Sequence, residues 1–186
     1  MGGHHLVLGE LRDFLTGEIR PDTHDERYRQ KIARLLVEVK GFGRETLTPR
    51  VPISIRAGVR RARVWMDLTA TLAGRTALLV KYAPGSLITR HQVAIAASRL
   101  LGDRQVPFSV VTNGEDADML DNIDGAVVAR GLDGILTREA LEDRLSLCRE
   151  VVVTPRHREM AARILFAFEV DGRCPCDETA CDIDGP

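Results

Sequence analysis

The stretch Arg60–Pro84, RRARVWMDLTATLAGRTALLVKYAP, decides the fold. In its first arm Ala62, Val64, Met66, Leu68, Ala70 and Leu72 are apolar, and Arg61, Arg63, Trp65, Asp67, Thr69 and Thr71 stand between them. Alternation this strict puts one face of a strand into a core. The second arm, Ala77–Val80, is continuously apolar, as a strand covered on both faces is. Ala73, Gly74 and Arg75 leave room only for a short turn, so the arms are antiparallel neighbours. Asp67 is the one acidic residue of this hairpin. Whether it has chemical partners decides what the chain does.

Upstream, residues 1–24 read as a lead-in. Leu6–Leu15 fits a strand or a short helix, Gly17 and Pro21 end it, and His4 and His5 read as a solvated terminus. Asp25 is placed to cap a helix that runs to about Gly41, a residue suited to the position after a helix end. Tyr28, Ile32, Leu35, Leu36 and Val39 recur at the spacing of a buried stripe. Glu38 falls roughly 60° from Leu35 around the helix, close enough to reach a core edge. The plainer reading is a solvated helix charge. Val51–Ile55 alternates as a strand, with Pro52 marking a sheet edge or strand start.

Downstream, Pro84-Gly85 breaks the chain, and a helix capped by Ser86 or Thr89 runs to Leu101, with Ile88, Val93, Ile95, Ala96 and Leu100 as its apolar contacts. Phe108–Thr112 is a buried strand followed by an Asn113-Gly114 turn, and Ala126–Ala129 is another short strand. Thr137 caps a helix to about Leu147. Thr154-Pro155 starts a last helix, whose expected stripe is Met160, Ile164, Leu165 and Phe168. A strand–helix–strand crossover after an antiparallel hairpin predicts an α/β fold, a mixed central sheet flanked by helices. The expected organisation is a lead-in (1–24), one domain (25–170) and a polar tail (171–186).

Composition is that of a globular protein: 186 residues, 44% hydrophobic, 28% charged, formal net charge −1. No global basic excess points to nucleic acid, yet Arg56, Arg60, Arg61 and Arg63 fall within eight residues. They form either a phosphate-contacting patch or a solvated strand face. No apolar run approaches the roughly 20 residues of a membrane span. No basic segment precedes an apolar core at the N-terminus, so a cytoplasmic location is expected. There the four cysteines read as thiols or metal ligands rather than disulfides. Cys174, Cys176 and Cys181 cluster in the tail. With Cys148, or with His157, they are candidate ligands for zinc or an iron–sulfur cluster. A redox-sensitive pair, or plain thiols, are the alternatives.

The segments DERYRQKIARLLVEVKGF, VPISIRAG, RRARVWMDLTA, LLVKYAP, HQVAIAASRLL and FSVVTNGED, in that order, resemble the N-terminal nuclease domain of type I restriction enzyme R subunits, a branch of the PD-(D/E)xK nuclease superfamily. The resemblance covers about residues 10–125; residues 126–170 read as a helical extension. It implies a restriction-endonuclease-like core. It also implies one or two magnesium ions bound by the carboxylates of a helix glutamate, a strand aspartate and a Glu-x-Lys, with the lysine of that motif stabilising transition-state charge and a glutamine on the next helix contributing. Carried over, Glu38 matches the helix glutamate, Asp67 the strand aspartate and Gln92 the glutamine. The Glu-x-Lys is absent: Val80 and Tyr82 stand at its two positions, and neighbouring Lys81 faces the other way along the strand. The expectation is a relative that does not cleave DNA, kept as a nucleic-acid-binding or protein-interaction module. The alternatives are a magnesium-dependent endonuclease with a rearranged site (Asp67, Glu38, Lys81, Gln92), and a metal or redox protein acting through its cysteines. DNA, a protein partner or a second copy of the chain are the partners these readings imply.

Overall fold

The computed structural model describes residues 7–171 and, for the backbone alone, 180–182. The lead-in is a small hairpin, β1 (Glu10–Arg12) paired with β2 (Ile19–Pro21), so Pro21 lies within a strand rather than ending the segment. Helix α1 (His24–Arg34) follows. Its cap is Thr23 rather than Asp25: the threonine hydroxyl accepts the Glu26 N–H.

The α pattern of this helix stops at Arg34. Leu35–Val39 form a π turn in which Lys40 N–H reaches back five residues to the Leu35 carbonyl at 3.0 Å. The wider turn breaks the 100° phase on which the stripe was extrapolated. Leu36 stays fully buried, whereas Glu38 is exposed and Val39 is 65% exposed.

The sheet runs in the order β3 (Leu47–Ala57), β4 (Arg60–Leu72), β5 (Arg75–Tyr82), β6 (Phe108–Thr112), β7 (Ala117–Asp121) and β8 (Val127–Arg130). Among the described residues only the β5–β6 pair is parallel, and α2 (Ile88–Ser98) makes that crossover. Pro52 sits on edge strand β3, where a missing N–H costs least. The β4–β5 turn is Ala73-Gly74, both at positive φ (49° and 74°), the backbone a two-residue hairpin needs. Strand β7, ADMLD, has no counterpart in the sequence reading.

Helices α3 (Arg138–Leu147) and α4 (Pro155–Leu165) start at Thr137 and Thr154, whose hydroxyls accept the N–H of Ala140 and His157. The α4 helix continues into a second π turn, Phe166–Val170. Its buried residues are Ala161, Ala162, Leu165 and Phe166, while Met160 and Phe168 are about half exposed, so the stripe lies beside the expected one. On α2, Ile88 is likewise exposed. A short strand, β9 (Ala180–Asp182), pairs with β4 at Ala62–Val64.

Side-chain alternation splits the core into two layers. Leu78 and Val80 pack with Ile32, Ala33 and Leu36 of α1 and with Leu141 and Leu145 of α3. Leu79 packs on the other face with Val93 and Ala97 of α2 and Leu165 of α4. The long β4 changes layers along its length: Ala62, Val64 and Met66 belong to the α2/α4 core, Leu68, Ala70 and Leu72 to the α1/α3 core. Asp67 lies at the change, and Arg50, with φ +52°, stands opposite it in β3.

Candidate functional site

Asp67 sits where two strands part. The β4–β5 ladder ends at Leu68–Val80, and the next free amide, Tyr82 N–H, donates 2.7 Å to Asp67 Oδ2. The carboxylate thus extends the ladder where the backbone carbonyls have left it. Its other oxygen, Oδ1, accepts from Arg29 Nε at 2.5 Å. The asymmetry of α1 brings Arg29 there. Glu26, Arg29, Gln30 and Ala33 fall on one face at i, i+3, i+4 and i+7, and that face lies over the sheet.

A recess forms between α1, β4, β5 and the loop after β1, lined by Asp13, Arg29, Gln30, Arg50, Asp67 and Tyr82 among others. Its polar groups satisfy one another. Arg50 donates to Asp13 at 2.8 Å and to Glu26 at 2.5 Å. Gln30 donates to Asp13 at 3.1 Å and to Glu26 at 2.7 Å, and accepts the Phe14 N–H at 2.7 Å. Burial alone would raise the Asp13 carboxyl; hydrogen bonds from Arg50, the Thr16 and Leu15 amides and Gln30 overcome it and bring it down to about 2. Burial would lower Arg29, but the Asp67 charge and hydrogen bond raise it. Tyr82 stacks on Tyr28 of α1 with ring centres 5.7 Å apart, and its hydroxyl donates to Asp25 at 3.2 Å. Burial first, and then Asp25, push that phenol up.

Lys81 points the opposite way. Buried between the sheet and the α2/α4 layer, its Nζ lies 2.7 Å from Glu169 Oε2, in the π turn after α4. The other oxygen of Glu169 is 3.5 Å from Arg90. Burial would lower Lys81; Glu169, with a further contribution from Asp67, more than offsets it. A carboxylate therefore does stand beside this lysine. It comes from more than eighty residues downstream, which no scan of the hairpin's neighbours could find.

The nuclease-matched residues are gathered only in part. Asp67 faces α1 through Arg29 and Lys81 faces α2 and α4 through Glu169 and Arg90, yet the two are close enough for the Asp67 charge to help raise Lys81. Gln92 is exposed on α2. Glu38 is exposed 3.9 Å from Arg34 and does not line the recess. The acid of α1 that does is Glu26, which sequence reading passed over; the available signal was its place seven residues before the core residue Ala33.

Arg56, Arg61 and Arg63 share the outward face of the β3–β4 hairpin, Arg56 directly opposite Arg61 in register. Arg60 is on the other face, paired with Asp171 at 2.6 Å and over the Phe166 ring. Cys148 is half-buried at the fringe of the α1/α3 core, and burial pushes its thiol up. Cys174 and Cys176 lie outside the described residues, and Cys181 is described in backbone only, in β9. His157 is exposed.

Magnesium takes about six oxygen ligands in near-octahedral geometry. The residues here do not fit that demand. The Val80 side chain supplies no oxygen, both Asp67 oxygens are engaged, and guanidinium groups lie against Asp67, Glu26 and Asp13. Among the described residues no three acidic, histidine or cysteine side chains converge as a metal-ligand set. Nor, among them, is any helix long and apolar enough to cross a membrane.

Comparison with known families gives one match: the model of the type I restriction enzyme R protein N terminus, over residues 24–135. Neither a curated protein nor a solved structure matches.

Proposed function

The chain belongs to the family of the type I restriction enzyme R protein N terminus, and we propose that it is a non-cleaving member, kept as a DNA-binding module. The observation that carries this reading is Arg29 on Asp67: a protein cation fills the place beside the one hairpin carboxylate. Arg50 does the same for Glu26 and Asp13. A partly buried guanidinium that donates to two carboxylates, as Arg50 does to Asp13 and Glu26, costs a few kcal/mol to displace, and a magnesium ion would have to offset that cost before it could bind. The hairpin face bearing Arg56, Arg61 and Arg63 supports contact with phosphates. The test is supercoiled plasmid incubated with magnesium or manganese, beside anisotropy of a labelled duplex. Binding without nicking is the expected result; metal-dependent nicking that disappears in Asp67→Asn sinks the reading.

A second reading is favoured by Glu169. Its carboxylate, 2.7 Å from Lys81, restores an acid–lysine pair to the strand. An endonuclease with a rearranged site would then use Asp67, Lys81 and Glu169 rather than Glu38 and Gln92. It requires nicking that Glu169→Gln removes while the duplex is still bound.

A further inference from the structure

Away from the recess, α1 turns a second set of charges to solvent. Arg27, Lys31 and Arg34 recur at i, i+4 and i+7 and are all exposed. With Arg12 of β1, Leu11 and Gln30 they line a groove between the helix and the first hairpin. Like charges at this spacing repel, and the fold neutralises them only in part. Arg27 pairs with Asp22 at 2.6 Å. Lys31 donates to the Gly114 carbonyl at 2.7 Å and Arg12 to the Gly17 carbonyl at 3.0 Å, neither of which carries a charge. Arg34 is 3.9 Å from the exposed Glu38 and lies over the Phe14 ring, which Arg44 also covers. In a chain of net charge −1, this is a local cationic line with few counter-charges.

The geometry points to this groove as a seat for the phosphate backbone of duplex DNA, an inference that rests on the DNA-binding reading above and locates its contact. From Arg27 to Arg34 the helix rises about 10 Å, on the order of three base-pair steps measured along a duplex axis. Guanidinium and ammonium groups at that pitch meet successive phosphates without reading bases. Among the described residues no aromatic side chain lines the groove. Single strands are held largely by stacking on aromatic rings, so a duplex backbone is the better match. The groove adjoins the recess through Gln30, whose side chain lines both.

The test is anisotropy of a labelled duplex against salt concentration for the wild-type chain, Lys31→Ala/Arg34→Ala, Arg12→Ala, and the hairpin variant Arg61→Ala/Arg63→Ala. The log–log salt slope falls by about 0.9 for each phosphate contact removed. The α1 double variant is expected to lose at least roughly tenfold in affinity at low salt and about 1.8 in slope. Arg12→Ala, on the opposite wall and outside the helix, is expected to move the slope in the same direction by about half as much. If the wild type binds duplex and both groove variants match it in affinity and slope, the groove is overturned and the DNA-binding reading stands. Loss confined to Arg61→Ala/Arg63→Ala has the same meaning and assigns the contact to the hairpin. If the wild type binds no duplex, both inferences fall. Tripolyphosphate serves as the free-phosphate arm: saturable binding of it without duplex binding also overturns the proposal.

Discussion

Two faces of one helix handle charge in opposite ways. On the sheet side of α1, Glu26 and Arg29 join Asp13, Arg50 and Asp67 in a buried cluster where every carboxylate meets a protein cation. On the solvent side, Arg27, Lys31 and Arg34 outnumber the acids near them. Buried charges must be paired, because desolvation is costly; exposed ones need not be. The inner face therefore serves stability and the outer face is available to a ligand. A nuclease centre needs the reverse inside: carboxylates left short of protein cations so that a metal completes them. The Glu169–Lys81–Arg90 group across the sheet follows the inner rule as well.

Breaking the inner pairs should produce the largest effects. Lys81 and Glu169 are both about 95% buried, so Glu169→Gln or Lys81→Met alone is expected to cost on the order of 3–5 kcal/mol in urea unfolding. The double variant Lys81→Met/Glu169→Leu should recover most of that loss, because neither fully buried charge remains and Arg90, which then loses Glu169, keeps solvent contact; a strictly additive double variant would show that the pair does not act as a unit. Arg29→Ala comes next, at about 3 kcal/mol, since Arg29 keeps some solvent contact and Asp67 keeps the Tyr82 amide.

Acid exposes the same cluster more gradually. The folded-state pKa of Asp13 is depressed to about 2 from 3.8, so its contribution is fully present above about pH 4 and is lost as pH falls toward 2. Asp13→Asn should flatten the stability–pH curve in that window; a wild-type curve already flat between pH 4 and 2 would contradict the depressed value. The smallest stability effect belongs to the outer face: Lys31→Ala/Arg34→Ala should cost no more than about 2 kcal/mol, the loss of the Lys31–Gly114 hydrogen bond and of the Arg34–Phe14 contact. A large loss there would mean that the two faces are not separable.

The hairpin, the crossover helix, the mixed sheet and the caps at Thr137 and Thr154 were legible because each rests on a local pattern: period-two alternation, a short turn, a hydroxyl before a helix. Strand β7 was not, since ADMLD is short and flanked by acids, and only its neighbours Met119–Val110 and Leu120–Ser109 make it a strand. The π turn at Leu35–Val39 leaves no local signature, and it is what exposes Glu38. Asp67 could be singled out from the strand pattern. Its partner Arg29 arrives from a separate element, as does Lys81's partner Glu169, and tertiary pairing of that kind has no period to read. Absence of the Glu-x-Lys was plain in Val80 and Tyr82. What the arrangement holds instead became visible only when α1 was laid against the sheet.

Calorimetric titration of magnesium and manganese into the wild-type chain and into Asp67→Asn at neutral pH tests the exclusion of a metal most directly. With Arg29 and Arg50 holding the carboxylates, the two proteins should give the same heats, with no saturable component that depends on Asp67. A one-to-one binding isotherm in the wild type that vanishes in Asp67→Asn would contradict it, and would mean that the guanidinium groups yield to a metal ion.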